Sequence, residues 1–510
     1  MRLARRALLG IAAIGLVQAT FGPLARAGDA QTFVSPIPKP RPAVPSSFSS
    51  PDIPTVTRSH SGVAGWLVVD MDTGAVLDSH DPDRPFAPAS VAKLPTAAFA
   101  LDALGPDYRF ETQVLATGSV SGDQLDGDLI LSGGGNPELD TDSLAPLARQ
   151  IAEQGIRTVT GQLIADGSAL PQLSMIEVSQ GDSSTYNPSI SGLNLNFNRV
   201  HVKWDARKGR NHLSVEAQAT RLSPPVTSVR VAVGDVPGSA VFTFLDNADH
   251  EQWRMASRAM RGRAARWLPV KHPERYAAEV FAVLAGEHGV QMGLPRTGRT
   301  PGDARVLASH SSRPLTPILR DMLRYSNNLT AEVTGTTATR SVGVEVSTLA
   351  ESADVMNAWA ASVAGFPLGD PGFQFKNHSG LTTASKVSPR RMVDLLLALG
   401  RRDAPSDRSH TRLPGSVAGI LKSYNVAAKN VALDYDNLAI VAKTGTMSYI
   451  RGLAGYVATP GGRRLAFAIF SNDLVARGGG GAQPVHRGWM RRAKGFERAL
   501  IRNWVLQADG

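Results

Sequence analysis

The chain has 510 residues, 42% of them hydrophobic and 19% charged, a globular composition with room for two or three domains. It contains no cysteine, which excludes disulfides and thiolate metal sites. Its net charge is +10, and a low aromatic content of 6% with no recognition motif argues against nucleic acid as the partner of that charge.

Met1 to Arg6 is a basic opening, Ala7 to Leu16 is a short apolar run, and Ala25-Arg26-Ala27 fits a small-x-small cleavage site. Residues 1–27 are therefore expected to be a cleaved export signal, and the mature protein to be periplasmic. Residues 28–57 hold a Pro/Ser-rich stretch that reads as an extended tether, with the fold beginning near Arg58. Gly65 to Asp78 reads as a hairpin turning at Gly74. Next comes Pro88-Ala89-Ser90-Val91-Ala92-Lys93, followed by an Ala/Leu-rich run to Leu104 that predicts a helix ending at Gly105-Pro106. Ser90 falls in its first turn, near the positive end of the helix dipole, with Lys93 on the same face.

Residues 111–300 change character, with short β-like runs at 128–131, 215–218 and 229–233 among glycines and polar turns. One helix stands out there, Leu144 to Gln154. This region is expected to be a large, mainly β insertion. Helices are predicted from Pro273 to about Gly286, Pro314 to Tyr325, Leu329 to Thr339 and Ser388 to Leu399. An apolar strand, Leu438 to Ala442, runs into Lys443-Thr444-Gly445-Thr446, and strands at 451–459 and 464–471 follow. Residues 451–510 set ten basic side chains against three acidic ones. Trp489, Ala493, Phe496, Leu500 and Trp504 make one helical stripe there, which fits either a membrane-surface helix or a helix packed on the preceding sheet. The basic tail is expected to make peripheral contact with an anionic membrane or cell-wall surface.

Three short motifs stand in order: Ser90-x-x-Lys93, Ser326-Asn327-Asn328 and Lys443-Thr444-Gly445. Each is weak alone. Together they are the S-x-x-K, S-x-N and K-T-G set of active-site serine penicillin-binding proteins and β-lactamases. Lys93 and Ser326 are 233 positions apart, and Ser326 and Lys443 are 117 apart. A compact β-lactamase has no room for the first gap, whereas a transpeptidase-like domain with an insertion does.

The chain resembles D-alanyl-D-alanine carboxypeptidase/endopeptidases of the penicillin-binding protein 4 type over nearly its whole length past residue 60. The resemblance rests on the motifs above with Leu131-Ser132-Gly133-Gly134-Gly135-Asn136-Pro137, Leu193-Asn194-Leu195-Asn196-Phe197-Asn198 and Ser379-Gly380-Leu381. It departs from the family pattern at Asn377-His378, where an Asp-Gly pair is more usual, and at Asn327, where Asp is common. The resemblance implies an α+β fold: a penicillin-binding-protein/β-lactamase-like transpeptidase domain, residues 58–110 plus 301–510, interrupted by residues 111–300. It also implies peptidoglycan stem peptides as substrate, with D-stereochemistry at the cleaved bond, and β-lactams as inhibitors.

Physical chemistry makes the motif set a unit. A serine hydroxyl needs a base, and Lys93 serves only when neutral, which burial and the nearby charge of Lys443 favour. Ser326 is expected to relay the proton to the leaving amine, and Asn328 to orient Lys93 and the substrate amide. Backbone N–H groups of Ser90 and Thr446 are expected to form the oxyanion hole. Lys443, Thr444, Gly445 and Thr446 are expected to bind the substrate carboxylate, and Tyr186 and Met447-Ser448 to line the pocket for the third residue of the stem. Glu332, Glu345 and Glu351 do not fit the Glu-x-x-Leu-Asn loop by which some β-lactamases deacylate, so penicillin is expected to leave a slow adduct on Ser90. No cofactor or metal is expected; His310 and His378 lack ligand spacing, and Gly133-Gly134-Gly135 lacks a phosphate-loop ending. The competing readings are a serine β-lactamase and a non-catalytic wall-binding protein on the same scaffold.

Overall fold

The computed structural model describes residues 61–509, apart from 208–211, 246–249, 403–414, 428–432, 434–435 and 479–483. The export signal and the tether read from the sequence lie outside the described residues.

The main sheet is antiparallel and has six strands in the order Lys422–Ser423, Ala439–Met447, Ile450–Ala458, Arg464–Asn472, Val63–Asp70 and Val76–His80. Chain start and chain end thus share one sheet, because Val63–Asp70 pairs residue by residue with Arg464–Asn472. Ile450–Ala458 is buried along its whole length, as expected of a central strand covered on both faces. Side-chain alternation divides the two layers. Trp66, Val68, Leu453, Val457 and Phe467 face the C-terminal helix, Arg487–Asp509, through its Phe496, Leu500, Ile501 and Trp504. Leu67, Val69, Ala454, Ala466 and Phe470 face the helical layer instead. The apolar stripe of the C-terminal helix is therefore spent on the sheet, which decides between its two sequence readings. No helix among the described residues is long and apolar enough to cross a membrane.

The helical layer surrounds the helix Lys93–Leu104 with Leu315–Tyr325, Asn328–Ser341, Leu349–Ala364 and Pro389–Arg402. Leu349–Ala364 was not predicted, although Thr348 and Glu351 form a capping box at its start. Its buried Trp359 donates to Asp102 Oδ2 at 2.6 Å and so ties it to the serine helix. The predicted helix at Leu144 begins three residues earlier, at Thr141, where the Asp140 side chain caps it by accepting from Ser143 N.

The region between has a core of its own. A five-stranded mixed sheet runs Pro295–Thr297, Leu163–Asp166, Leu129–Gly133, Glu111–Ala116 and Arg305–Ser311, joined by three smaller sheets. Its first strand, Glu111–Ala116, pairs antiparallel with its last, Arg305–Ser311. That last strand lies past the boundary at 300 read from the sequence. Entry and exit therefore meet, with Ser312 N donating to Phe110 O at 2.9 Å.

Candidate active site

Ser90 stands in a short 3-10 turn, Ala89–Ala92, and Lys93 opens the α-helix that follows. The expectation that Ser90 sits inside the helix is corrected by one turn. Tighter 3-10 winding stacks residues three apart, and Lys93 Nζ lies 3.0 Å from Ser90 Oγ. Ala89 is held at φ +47°, in the left-handed region that disfavours a side chain. Two motif glycines clamp this turn. A Cβ on Gly380 would stand 2.0 Å from Ala89 O, and one on Gly445 would stand 2.3 Å from Pro88 O. These glycines are required by backbone approach.

Lys93 is fully buried. Its Nζ also reaches Asn328 Oδ1 and Ser379 O, each at 2.7 Å. Burial, and then the charge of Lys443, hold its ammonium well below the usual lysine range, against an opposing pull from Glu332. The serine's neighbour is thus a lysine biased toward the neutral form a base requires.

The S-x-N residues sit where two helices meet. Ser326 ends Leu315–Tyr325 in the left-handed conformation, and the Asn327 side chain caps Asn328–Ser341 by accepting from Thr330 N at 3.0 Å. Asn328 Nδ2 donates to Tyr186 O at 2.8 Å, so its amide is fixed at both ends. Lys443 Nζ donates to Ser326 Oγ at 3.1 Å and to Thr444 O at 2.8 Å. Burial, followed by Arg451 and Lys422, pushes Lys443 down to about 7. Thr446 is exposed, and its Oγ1 accepts from Arg451 Nη1 at 2.8 Å. Arg451 is itself buried and paired with Glu497, at 2.8 Å and 2.9 Å. The short strand Lys422–Ser423 covers only Val441 and Ala442, so Lys443–Met447 offers a free backbone edge among the described residues.

The structure therefore gathers the five motif residues in two hydrogen-bonded groups, Ser90–Lys93–Asn328 and Ser326–Lys443, with Thr444, Gly445 and Thr446 next to the second. Tyr186 reaches the site through its carbonyl and lines a cavity next to Asn328. Ser448 is buried and donates to Pro484 O at 3.0 Å, while Met447 packs on Ala87 and Ala89 beneath the serine turn.

The three glutamates weighed from the sequence each have another task. Glu345 is exposed and faces Arg340, and Glu351 belongs to the capping box. Glu332 is fully buried, and its two oxygens accept from His378 N at 2.9 Å and Ser379 N at 2.8 Å. It fixes the loop whose Ser379 carbonyl receives Lys93, a role that no sequence motif signals. His378 is buried, with its Nε2 2.8 Å from Ser352 Oγ, and desolvation pushes it down to about 3. Gly335 makes room for its ring, since a Cβ there would lie 2.3 Å away. This departure from the family pattern is absorbed by packing. His310 lies on the edge strand of the five-stranded sheet.

Residues 51–485 match the model of the D-Ala-D-Ala carboxypeptidase 3 (S13) family. A D-alanyl-D-alanine carboxypeptidase from an Actinomadura species is 29% identical over 440 residues, covering 80% of this chain and 78% of the relative. The D-alanyl-D-alanine carboxypeptidase DacB of Haemophilus influenzae is 23% identical over 421 residues, covering 80% and 85%. The crystal structure of penicillin-binding protein 4 from Haemophilus influenzae matches with a TM-score of 0.70 at 20% identity, covering 89% of this chain and 99% of that one. That likeness carries the fold, a mixed architecture of antiparallel sheets and helices. With the family match spanning most of its length and the three motifs converging on one serine, the chain belongs to the D-Ala-D-Ala carboxypeptidase 3 (S13) family of peptidases.

Proposed function

We propose that the chain is a periplasmic serine D-Ala-D-Ala carboxypeptidase and D,D-endopeptidase that trims peptidoglycan stem peptides through an acyl-enzyme on Ser90. The observation that carries this reading is the 3.0 Å contact between Ser90 Oγ and a fully buried Lys93. Neutral Lys93 takes the Ser90 proton as Oγ attacks the carbonyl carbon of the penultimate D-Ala. The oxyanion is held by the N–H groups of Ser90 and Thr446. As the C–N bond breaks, a proton passes through Ser326 to the leaving amine, and water then hydrolyses the ester. The substrate backbone lies along the free edge at Lys443–Met447 as an added strand. Its terminal carboxylate meets the charge of Lys443 and the hydroxyls of Thr444 and Thr446. A β-lactam acylates Ser90 by the same attack, but its amine stays tethered. A solved penicillin-binding protein 4 from Haemophilus influenzae carries a β-lactam, which supports this reading.

A β-lactamase is the lesser reading, because both oxygens of Glu332 are taken by backbone N–H groups and cannot activate water. Export by residues 1–27 and a catalytic part built from residues 58–110 plus 301–510 belong to the same proposal. Surface contact falls to the exposed cations Arg491, Arg492, Lys494 and Arg498, since the apolar stripe beside them is buried.

The test is to label the purified chain and its Ser90→Ala variant with fluorescent penicillin, then follow D-Ala release from a pentapeptide ending in D-Ala-D-Ala. A persistent label on the unmutated chain, none on the variant, and D-Ala release are expected. No Ser90-dependent label would sink the mechanism. Rapid loss of label with hydrolysed penicillin points to the β-lactamase, and a label without D-Ala release to a binder.

A further inference from the structure

Five arginines, Arg254, Arg258, Arg261, Arg263 and Arg266, fall close together in the inserted region with no Asp or Glu among them. All five are exposed, and the catalytic steps above use none of them. Their surroundings leave the charge uncompensated. Arg258 is pinned by uncharged acceptors, with Nη1 donating to Val236 O at 2.9 Å and Nη2 to Gly238 O at 2.7 Å. Arg266 lies 5.6 Å from the Phe242 ring. The acids of the adjoining sheet are already taken. Glu216 pairs with Lys203, and Asp205, which faces Arg263 across the ladder, pairs with Arg207. Among the described residues no ion pair holds any of the five.

Strand register puts these cations on surfaces turned away from the core. Arg254 stands on the central strand of a three-stranded sheet, Val229–Gly234, Glu251–Ala256 and Phe242–Leu245 in that order. Alternation buries Trp253 and Met255 and turns Arg254 outward, on the same face as the exposed Arg230 of the neighbouring strand. At the end of that face a groove of about 440 Å³ opens between Gly234–Pro237 and Arg254, Ser257 and Arg258, with Asp235 as the acid in its lining. On the following strand, Arg263–Pro269, the two end residues share a face and are about 20 Å apart. Pro269 is the partner of Arg199, which lines the cavity beside Ser326 and Asn328. Arg263 thus stands on a sheet face that leads into the catalytic cleft.

The chemistry of this surface selects its partner. Guanidinium forks with no acid between them match carboxylates. A bilayer would need apolar side chains to insert, and among the described residues of 229–269 Val233 is the one large hydrophobic that is exposed. We infer that this arginine face docks peptidoglycan itself, binding free carboxylates of the polymer at a distance from the stem peptide held in the cleft. The inference rests on the proposed substrate class. It makes the inserted region a second point of attachment, which counts only when one polymer bridges both sites. A soluble pentapeptide gains nothing from it.

The test is retention on insoluble peptidoglycan by the Ser90→Ala chain, which cannot turn it over. Adding Arg254→Gln, Arg261→Gln and Arg263→Gln should weaken retention roughly tenfold, as three exposed charges acting together. Lysine at the same three positions should keep most of it. Converting the polymer's carboxylates to primary amides should abolish the difference between the Gln variant and its parent. With Ser90 intact, the Gln variant should release D-Ala from a soluble pentapeptide at the unmutated rate, which also reports that it folds. If it does not fold, the three single Gln variants decide, each expected to weaken retention about twofold. Equal retention of variant and parent, or a difference that survives amidation, overturns the docking surface. So does arginine-dependent retention on vesicles of anionic phospholipid with none on peptidoglycan, which makes the face a membrane contact. Arginine-dependent retention on peptidoglycan by a chain that releases no D-Ala overturns the catalytic reading and leaves the docking surface standing.

Discussion

At the scale of single residues, the base is shaped by groups that never meet substrate. Glu332 holds two backbone N–H groups and thereby aims the Ser379 carbonyl at Lys93. Glutamine in its place offers one oxygen and an NH₂ that would face a backbone N–H, so the loop must shift. A displacement of that size beside a reacting group costs roughly ten- to a hundredfold in rate. Glu332→Gln is therefore expected to slow penicillin acylation of Ser90 by that factor at its optimum pH. The pH profile adds a sign. The carboxylate raises the Lys93 pKa, so removing its charge lets Lys93 lose its proton more easily, and the low-pH limb of the acylation rate moves to lower pH. An unshifted limb with an unchanged rate would show that Glu332 only fills space. Ser90, Lys93 and Lys443 were legible in the sequence because their chemistry requires particular side chains at short spacings. Glu332 was not, since any route to it runs through backbone groups 46 and 47 positions away.

Among the elements, the K-T-G strand depends on a helix that contributes nothing to the chemistry. Glu497 of the C-terminal helix and Arg451 of the neighbouring strand are 1% and 3% exposed, and Tyr424 Oη donates to the same carboxylate at 3.0 Å. Arg451 in turn donates to Thr446. Removing one partner of such a pair strands a charge in the interior, at a cost of about 3–5 kcal/mol. Glu497→Ala should therefore lower the thermal unfolding midpoint sharply, and Glu497→Gln should lower it less. An unchanged midpoint in Glu497→Ala would mean that water reaches Arg451. The terminal stripe was plain from its period, but spacing alone left open whether a membrane surface or the preceding sheet covers it, and it is the sheet that takes Phe496, Leu500 and Trp504. The helix Leu349–Ala364 shows the reverse case. Its Thr348-x-x-Glu351 start was visible, yet its buried residues are spread widely enough that no single stripe marks it.

For the whole molecule, the motif spacing predicted an insertion, and the sheet pairing explains how one is tolerated. Glu111 is the cross-strand partner of Ser311, and Phe110 and Ser312 bond to each other through the backbone just outside. Antiparallel partners have Cα atoms only about 5 Å apart, so a short turn can replace everything between them. The hydrogen bonds among Ser90, Lys93, Asn328, Ser379, Ser326 and Lys443 are all made by residues outside that stretch. A chain with residues 112–310 replaced by a Gly/Ser turn should therefore still form a Ser90-dependent penicillin adduct. It should unfold at lower temperature, because Leu170, Ile176 and Ile190 pack into the core around the serine helix. Asn328 would also lose the Tyr186 carbonyl, and the cavity beside it would lose one wall. Turnover of stem peptides should fall far more than acylation by penicillin, whose small body needs only the serine, its lysine and the K-T-G edge. Loss of both activities in a chain that still unfolds cooperatively would show that the insertion organises the catalytic hydrogen bonds themselves.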